Sequence, residues 1–447
     1  MKTSSVRRTV IVGVWTVLVT TIAAAADTDP SPWSLRPERK VGQVDRVVVK
    51  LETNGDTKFT EDGKSQKEKM SVLCELDYVE KTLAVEKIDR RAIRDYQKVS
   101  ATVRVGDSSF QPTLSTSHRR MVVETGRQSV VKFSPAGNLL RDELDAIDMQ
   151  ADSLLLDRLL PERPVAVGDR WPISEPLAAA LLGLDEVAKS TVECTLKEVT
   201  PTTARFEIAG QVDGAANGVS TVVKLRGRCR FDRRVHRVDW IGWLIQDSRP
   251  SSFVTDGMEV VSRLQVLVAP AKEPESLGDA ALAKWSKKMT ATPDSLLLSY
   301  PSPDGSWRLK YDRRWYLHHQ RPRSSVAVLR RLDRGELAGQ CNLASLAKGD
   351  PEKMISLEDF QQDVRRALDK SFGEFVEAGQ SANPANYRVY RVVAEGVASE
   401  IPMRWIYYLI ADAEGHQAAL TFAVEQSQVE RFADADKPLV DSLRFSK

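Results

Sequence analysis

Thr191-Val192-Glu193-Cys194-Thr195-Leu196-Lys197-Glu198-Val199, Ala204-Arg205-Phe206-Glu207-Ile208-Ala209-Gly210-Gln211-Val212 and Val222-Val223-Lys224-Leu225-Arg226-Gly227-Arg228-Cys229-Arg230-Phe231 are three successive segments in which apolar and polar residues alternate. A period of two puts consecutive side chains on opposite sides of an extended backbone, so each segment predicts a strand with one dry and one wet face. Thr200-Pro201, Asp213-Gly214 and Asn217-Gly218 supply turn chemistry between and beside them. Hairpins are the simplest connection, and the three strands form an antiparallel meander.

Working outward, residues 238–246 and 258–268 extend the meander. The same alternation holds earlier, in Val47-Val48-Val49-Lys50-Leu51-Glu52 and Lys69-Met70-Ser71-Val72-Leu73-Cys74-Glu75-Leu76, beside Asn54-Gly55 and Asp62-Gly63. Residues 40–270 are thus expected to form one large, curved antiparallel sheet domain. Leucines recur from Leu140 to Leu160 ahead of Pro161 and Pro164, which predicts a helix over 139–160, and Ser174 opens a second helix over 175–184. Both need an apolar partner surface, and the inner face of the sheet provides it.

Phe133-Ser134-Pro135-Ala136-Gly137-Asn138-Leu139, Leu159-Leu160-Pro161 and Val165-Ala166-Val167-Gly168-Asp169-Arg170-Trp171 resemble a family of exported bacterial proteins for which no activity is assigned. The curved sheet of that family is similar in turn to lipoprotein-carrier half-barrels, and that analogy implies an amphiphile carrier with an apolar cavity. Gly168-Asp169-Arg170-Trp171 reads as a tight turn feeding a buried indole.

Residues 271–294, rich in Ala, Lys, Glu and Pro, read as an interdomain linker. From 295 to 447 a smaller α+β domain follows. Short strands fit 307–311, 326–329 and 340–343. Ser356 with Asp359 opens a helix carrying Leu357, Phe360, Val364, Leu368 and Phe372 to Gly373. Three further strands fit 387–397, 403–411 and 417–425, with a closing helix in 428–443. Trp405-Ile406-Tyr407-Tyr408-Leu409-Ile410, Leu420-Thr421-Phe422 and Ser442-Leu443-Arg444-Phe445 resemble the PsbP-like superfamily, which implies an α/β/α sandwich with an antiparallel sheet and a binding role rather than catalysis. The usual proline before the early tryptophan is absent, since Arg314 precedes Trp315, and no partner-binding residue transfers. The fold class expected for the whole chain is therefore α+β, a large curved sheet domain with short helices and then the smaller sandwich.

Residues 1–26 read as a signal peptide. Lys2, Arg7 and Arg8 precede an uncharged run, and Ala24-Ala25-Ala26 fits a cleavage site. Retention as an anchor is the alternative, because residues 9–26 just reach the length that spans a bilayer. Arg7-Arg8 is also compatible with twin-arginine export. Cleavage leaves no transmembrane span and predicts a periplasmic or extracellular protein. The 447-residue chain has 64 basic and 62 acidic side chains, and loss of the three leader cations leaves 61 against 62, so nothing in the balance favours nucleic acid.

The chemistry visible in the sequence is sparse. Cys74, Cys194, Cys229 and Cys341 form no C-x-x-C pair and read as free buried thiols. Ser345-Leu346-Ala347-Lys348 matches S-x-x-K without its companion motifs. Asp142, Glu143, Asp145 and Asp148 lack calcium-loop spacing, and Trp240 and Trp243 read as packing residues. No cofactor or metal site is predicted. Arg313, Arg314, Trp315, Tyr316, His318 and His319 combine cations, aromatics and imidazoles and are the candidate contact for a ligand or partner. The expected function is an exported, non-enzymatic binding or interaction protein of the bacterial cell envelope, taking an envelope protein or an amphiphilic ligand. A lipid or amphiphile carrier and an unrecognised hydrolase are the alternatives.

Overall fold

Alternation in the first strands becomes a long hairpin of β1 (Val44–Glu61) and β2 (Lys64–Glu86), in register from Val44 opposite Lys81 to Glu61 opposite Lys64. The structure is a computed structural model describing residues 32–446 apart from 62, 63, 217, 252–256, 321–325, 334, 335 and 354. The expected leader, residues 1–26, lies outside the described residues.

The first body continues with β3 (Asp89–Val105), β4 (Ser108–Phe110), β5 (Arg120–Thr125), β6 (Val130–Phe133), β7 (Arg170–Pro172), β8 (Glu186–Ser190) and β9 (Glu193–Val199). The meander follows as β10 (Thr203–Ala216), β11 (Val219–Asp232), β12 (Arg237–Arg249) and β13 (Gly257–Pro270). They form one antiparallel sheet in the order β6-β5-β3-β2-β1-β13-β12-β11-β10-β9-β7, with β4 on β3 and β8 on β10. Cross-strand partners share a face. Leu76, Val49, Val266 and Ile241 therefore line up as one buried inner row, while Glu75, Lys50, Gln265 and Gly242 form the neighbouring outer row. The large sheet with one wet face is present as expected.

The helix expected over 139–160 is broken. It begins as α1 (Arg141–Ile147), passes Ala151 at φ +54°, and ends in a single 3-10 turn at Leu156–Leu159. A buried ionic cluster takes the place of regular backbone there. Arg94 binds Asp152 and Glu80, Arg39 binds Glu80 and Asp157, and the Ser153 hydroxyl donates to Glu80 at 2.9 Å. These long-range partners hold the irregular segment against the sheet while Leu155, Leu156 and Leu159 fill the core. The second helix, α2 (Glu175–Leu182), ends where Gly183 turns left-handed at φ +67° and returns its N–H to Ala179.

Residues 271–294 are a packed connector rather than a free spacer. Leu277 and Leu282, the latter on the short α3 (Asp279–Ala283), are buried against Ile93 on the outer face of the sheet. The Lys81 ammonium fastens the segment to the Leu277 carbonyl, Glu273 and Asp279.

In the second body, β16 (Trp315–Gln320), β17 (Val326–Asp333), β18 (Glu336–Leu346), β19 (Phe372–Ala382), β20 (Arg388–Ala398), β21 (Ile401–Ala411) and β22 (Gln417–Glu425) form an antiparallel sheet ordered β16-β17-β18-β22-β21-β20-β19. The amphipathic helix α4 (Leu357–Leu368) starts at Ser356, whose hydroxyl accepts from the Asp359 N–H at 3.0 Å, and packs Val364 and Leu368 on Val392 and Trp405. It stops short of the expected Gly373 because Asp369 turns to φ +47°, and residues 372–382 form the edge strand β19 instead. On the opposite face, α5 (Val429–Phe432) and α6 (Lys437–Ser442) replace the single closing helix, burying Phe432, Leu439 and Val440 against Tyr408, Leu420 and Phe422. A sheet covered by helices on both faces is the sandwich that the resemblance implied. A small sheet of β14 (Leu298–Pro301), β15 (Trp307–Tyr311) and β23 (Arg444–Phe445) completes the body.

The two bodies share one apolar core. Leu139 bridges Leu298, the Ser299 N–H donates to the Leu139 carbonyl at 2.8 Å, and Leu139 and Leu144 belong to the same cluster as Leu298, Tyr311 and Trp315.

Candidate ligand cleft

Helix and strand lengths explain where the protein is open. At 1.5 Å per residue α2 is roughly 12 Å long, whereas β1 at about 3.3 Å per residue runs close to 60 Å. Two such short helices cannot cover a sheet of that span. They fill its middle, and a cleft of about 760 Å³ remains beyond them.

The floor of the cleft is the inner face of the sheet. Two cross-strand rows define it, Met70–Gly55–Val260–Asp247 and Val72–Thr53–Ser262–Ile245. Thr53 and Ser262 are both buried and satisfy each other through a hydroxyl–hydroxyl bond of 2.8 Å. Asp247 is paired with Arg249 at 2.6 Å. One wall is the end of α2, with Ala180, Leu182 and Leu184. The other is α1 and the residues after it, with Arg141, Asp145, Asp148 and Met149, and Tyr316 of the second body closes one side. The floor is therefore mixed, with Leu51, Met70, Val72 and Val260 beside the Thr53–Ser262 pair and the Asp247–Arg249 ion pair, and the mouth is charged.

Each charge at the mouth has a distinct setting. Asp148 is paired with the buried ammonium of Lys132 at 2.6 Å. Arg141 donates to the carbonyls of Arg313 and Trp315 at 2.8 and 3.2 Å, and its guanidinium lies 5.0 Å from the centre of the Tyr316 ring. Asp145 is accessible from the cleft but stands 3.7 Å from Arg141, too far for a hydrogen bond. Restricted hydration inside the cleft, with Asp148 and Asp142 nearby, outweighs the pull of Arg141 and lifts the Asp145 carboxyl to about 6. Glu143 points away into the protein. Burial would raise it, but hydrogen bonds from His118, from the Leu140 N–H and from Ser115 prevail and hold it near 2.

The residues singled out in the sequence are dispersed. Trp315 is wholly buried, with Phe422 and Phe432 edge-on at 6.0 and 6.2 Å, so it cannot contact a partner from the surface. Arg313 donates to the carbonyls of Leu296 and Lys132, which ties the two bodies together. Arg314 is exposed and paired with Asp312 at 2.9 Å, and Tyr316 borders the cleft. His318 and His319 lie on β16, but their side chains are outside the described residues, as are Arg321 to Arg323. Ser345 is in extended backbone, accepts from the Trp307 indole and donates to Asp304, both at 3.0 Å, so its hydroxyl is engaged elsewhere than with Lys348. All four cysteines are buried and unbridged. A cavity in the curved sheet was expected from the half-barrel analogy alone, and none of its lining residues was assigned to it from the sequence. Its lining comes from residues between 51 and 316, and no local spacing marks it.

Among the described residues there is no group of three or more His, Cys, Asp or Glu side chains placed to hold a metal. None of the described helices is long and apolar enough to cross a membrane.

No family model matches the chain, and no curated protein does. Parts of it are similar to solved structures. The PsbP protein of Synechocystis sp. PCC 6803 is 11% identical over 35% of this chain and 98% of its own, with a TM-score of 0.28. The Ran-binding protein Mog1p of Saccharomyces cerevisiae is 10% identical over 33% of this chain and 94% of its own, with a TM-score of 0.26. A lipovitellin structure concerned with lipid–protein interactions is 9% identical over 53% of this chain and 26% of its own, with a TM-score of 0.33. No functional residue transfers at such identities.

Proposed function

We propose that this chain is a non-catalytic binding protein, exported to the bacterial cell envelope, that holds a small amphiphilic ligand in the cleft between the overhanging sheet and its two short helices. One observation carries the reading: a cleft of about 760 Å³ sets the apolar side chains of Met70, Val72, Leu182 and Val260 beside polar and charged groups. That volume lies within the usual range for small-molecule sites, and a lining that mixes apolar with polar side chains suits a ligand that has both kinds of surface. The leucines of α1, α2 and the turn after α1 occupy the rest of the inner face, so the ligand is compact rather than a long paired-chain lipid. An envelope protein docking on residues 313–319 has less support, because Trp315 and Arg313 are engaged inside the chain. Catalysis through Ser345 has less support too, since its hydroxyl is held by Asp304 and Trp307.

Native mass spectrometry of the full chain, alone and after incubation with lauric acid or a lysophospholipid, tests the proposal. The expected result is a one-to-one adduct that disappears in Ala180→Trp, where an indole fills the cleft while the fold is unchanged by circular dichroism. Absence of any adduct with either probe, or an adduct that Ala180→Trp leaves intact, overturns it.

A further inference from the structure

The outer face of the same sheet carries a second feature. The register of β12 turns Ile241, Trp243 and Ile245 into the core and leaves Trp240, Gly242 and Leu244 outside. Trp240 lies across Gly242, where a Cβ would sit 2.7 Å from its Cζ2 and Cη2 atoms. Glycine is what lets the ring settle onto the sheet, and the indole remains half-exposed.

Three outer rungs surround this ring. Arg263, Leu244 and Arg226 form the first, Gln265, Gly242, Arg228 and Glu207 the second, and Leu267, Trp240, Arg230 and Arg205 the third. Two depressions of about 690 and 480 Å³ share Trp240, Arg228 and Glu207, so they adjoin as one furrow across β9 to β13. Five strands spaced about 4.8 Å apart make its length roughly 19 Å.

The furrow is locally basic although the chain as a whole is not. Lys197, Arg205, Arg226, Arg228, Arg230 and Arg263 are answered by Glu52, Glu198, Glu207 and Asp239. Arg230 is held by both oxygens of Asp239, Arg205 by Glu198 at 2.9 Å, and Lys197 and Arg228 share Glu207 at 3.2 and 3.6 Å. Among the described residues Arg226 and Arg263 have no ion-pair partner, and both are exposed.

We propose that this furrow binds an anionic polysaccharide, with a sugar ring stacked on Trp240 and the carboxylates of the chain meeting Arg226, Arg228 and Arg263. An extended, narrow occupant fits the linear shape. A ring recessed between arginine side chains is reached by a single chain rather than by a flat lipid surface. Guanidinium groups match carboxylates in planar, two-point fashion, and the surplus cations supply the attraction.

The test uses the full chain with polygalacturonate, neutral dextran and phosphatidylglycerol vesicles in affinity electrophoresis and calorimetry. Polygalacturonate is expected to bind, more weakly as salt screens the arginines, and dextran is not. Trp240→Ala should weaken binding about tenfold, the scale of one lost ring contact. The double variant Arg226→Glu/Arg263→Glu should abolish it. Gly242→Ala, which lifts the indole off the sheet without changing charge, should weaken it as well, each variant being checked for an unchanged melting temperature. Failure of polygalacturonate to bind, equal binding of dextran, binding to the vesicles alone, or wild-type affinity in both Trp240→Ala and the double variant would overturn the proposal.

Discussion

Arg94 on β3 donates two hydrogen bonds, of 3.0 and 2.6 Å, to the carboxylate of Asp152, which arrives 58 residues later from the irregular segment after α1. The side chains are 2% and 3% exposed, so neither charge has water to fall back on. Asp152→Ala leaves the buried guanidinium with Glu80 as its one remaining carboxylate and is expected to destabilise the protein by about 3–5 kcal/mol. The paired replacement Arg94→Met/Asp152→Leu removes both charges and should cost less than either single change. Urea midpoints of Asp152→Ala, Arg94→Met and the double variant check this.

Two of the three carboxylates of α1, Glu143 and Asp145, predict opposite pH behaviour. Glu143 is held near 2 in the folded chain, below its ordinary value, so it contributes stability that is fully present above about pH 4.5 and lost as pH falls toward 2. Asp145 is lifted to about 6, so between its ordinary value near 4 and pH 6 the folded chain binds the extra proton, and stability falls as pH rises through that window. Glu143→Gln should flatten the acid limb of a stability profile, and Asp145→Asn should flatten the pH 4–6 decline. Chemical denaturation across pH 2.5–7.5 measures both.

Trp315 joins the edge of the second sheet to the shared core, and Trp315→Ala is expected to cost about 3–5 kcal/mol. Trp315→Phe should cost less than that. The indole N–H has no acceptor among the described residues, so phenylalanine gives up volume without giving up a hydrogen bond. Differential scanning calorimetry distinguishes the two, and the shared core predicts a single transition for the parent chain.

Burial pushes the Cys74 thiol up to about 11 and Cys229 up to about 12, and it raises Cys194 and Cys341 as well. Thiolate is the reactive form, so all four should resist Ellman's reagent at pH 8 in the native protein and react together once it is unfolded. Rapid labelling of any one in the native state would contradict the packing described.

Strand positions were legible because alternation is a local property: Val47, Val49, Leu76, Phe206 and Ile208 each lie on the face that their neighbours imply. Ser356 marked its helix for the same reason, since the cap is completed within three residues. Leucine spacing over 139–160 misled, because Asp152 and Ser153 find partners on β2 and β3 that outweigh continued helix. The edge strand β19 was hidden by Phe372, which fits a helical stripe and a strand equally well. At the candidate site, Arg313 and Trp315 looked accessible from composition alone, and only the packing of the first body against β16 buries them.

By itself the sequence determined two antiparallel bodies, their wet and dry faces and the thiols' seclusion, all of which follow from side-chain periodicity and residue type. Tertiary structure alone decided the openings. The cleft exists because two short helices cover a sheet several times their length, and the outer furrow exists because Gly242 lets Trp240 settle between arginines from neighbouring strands. Both depend on element lengths and on register between segments far apart in the chain, which no local pattern encodes.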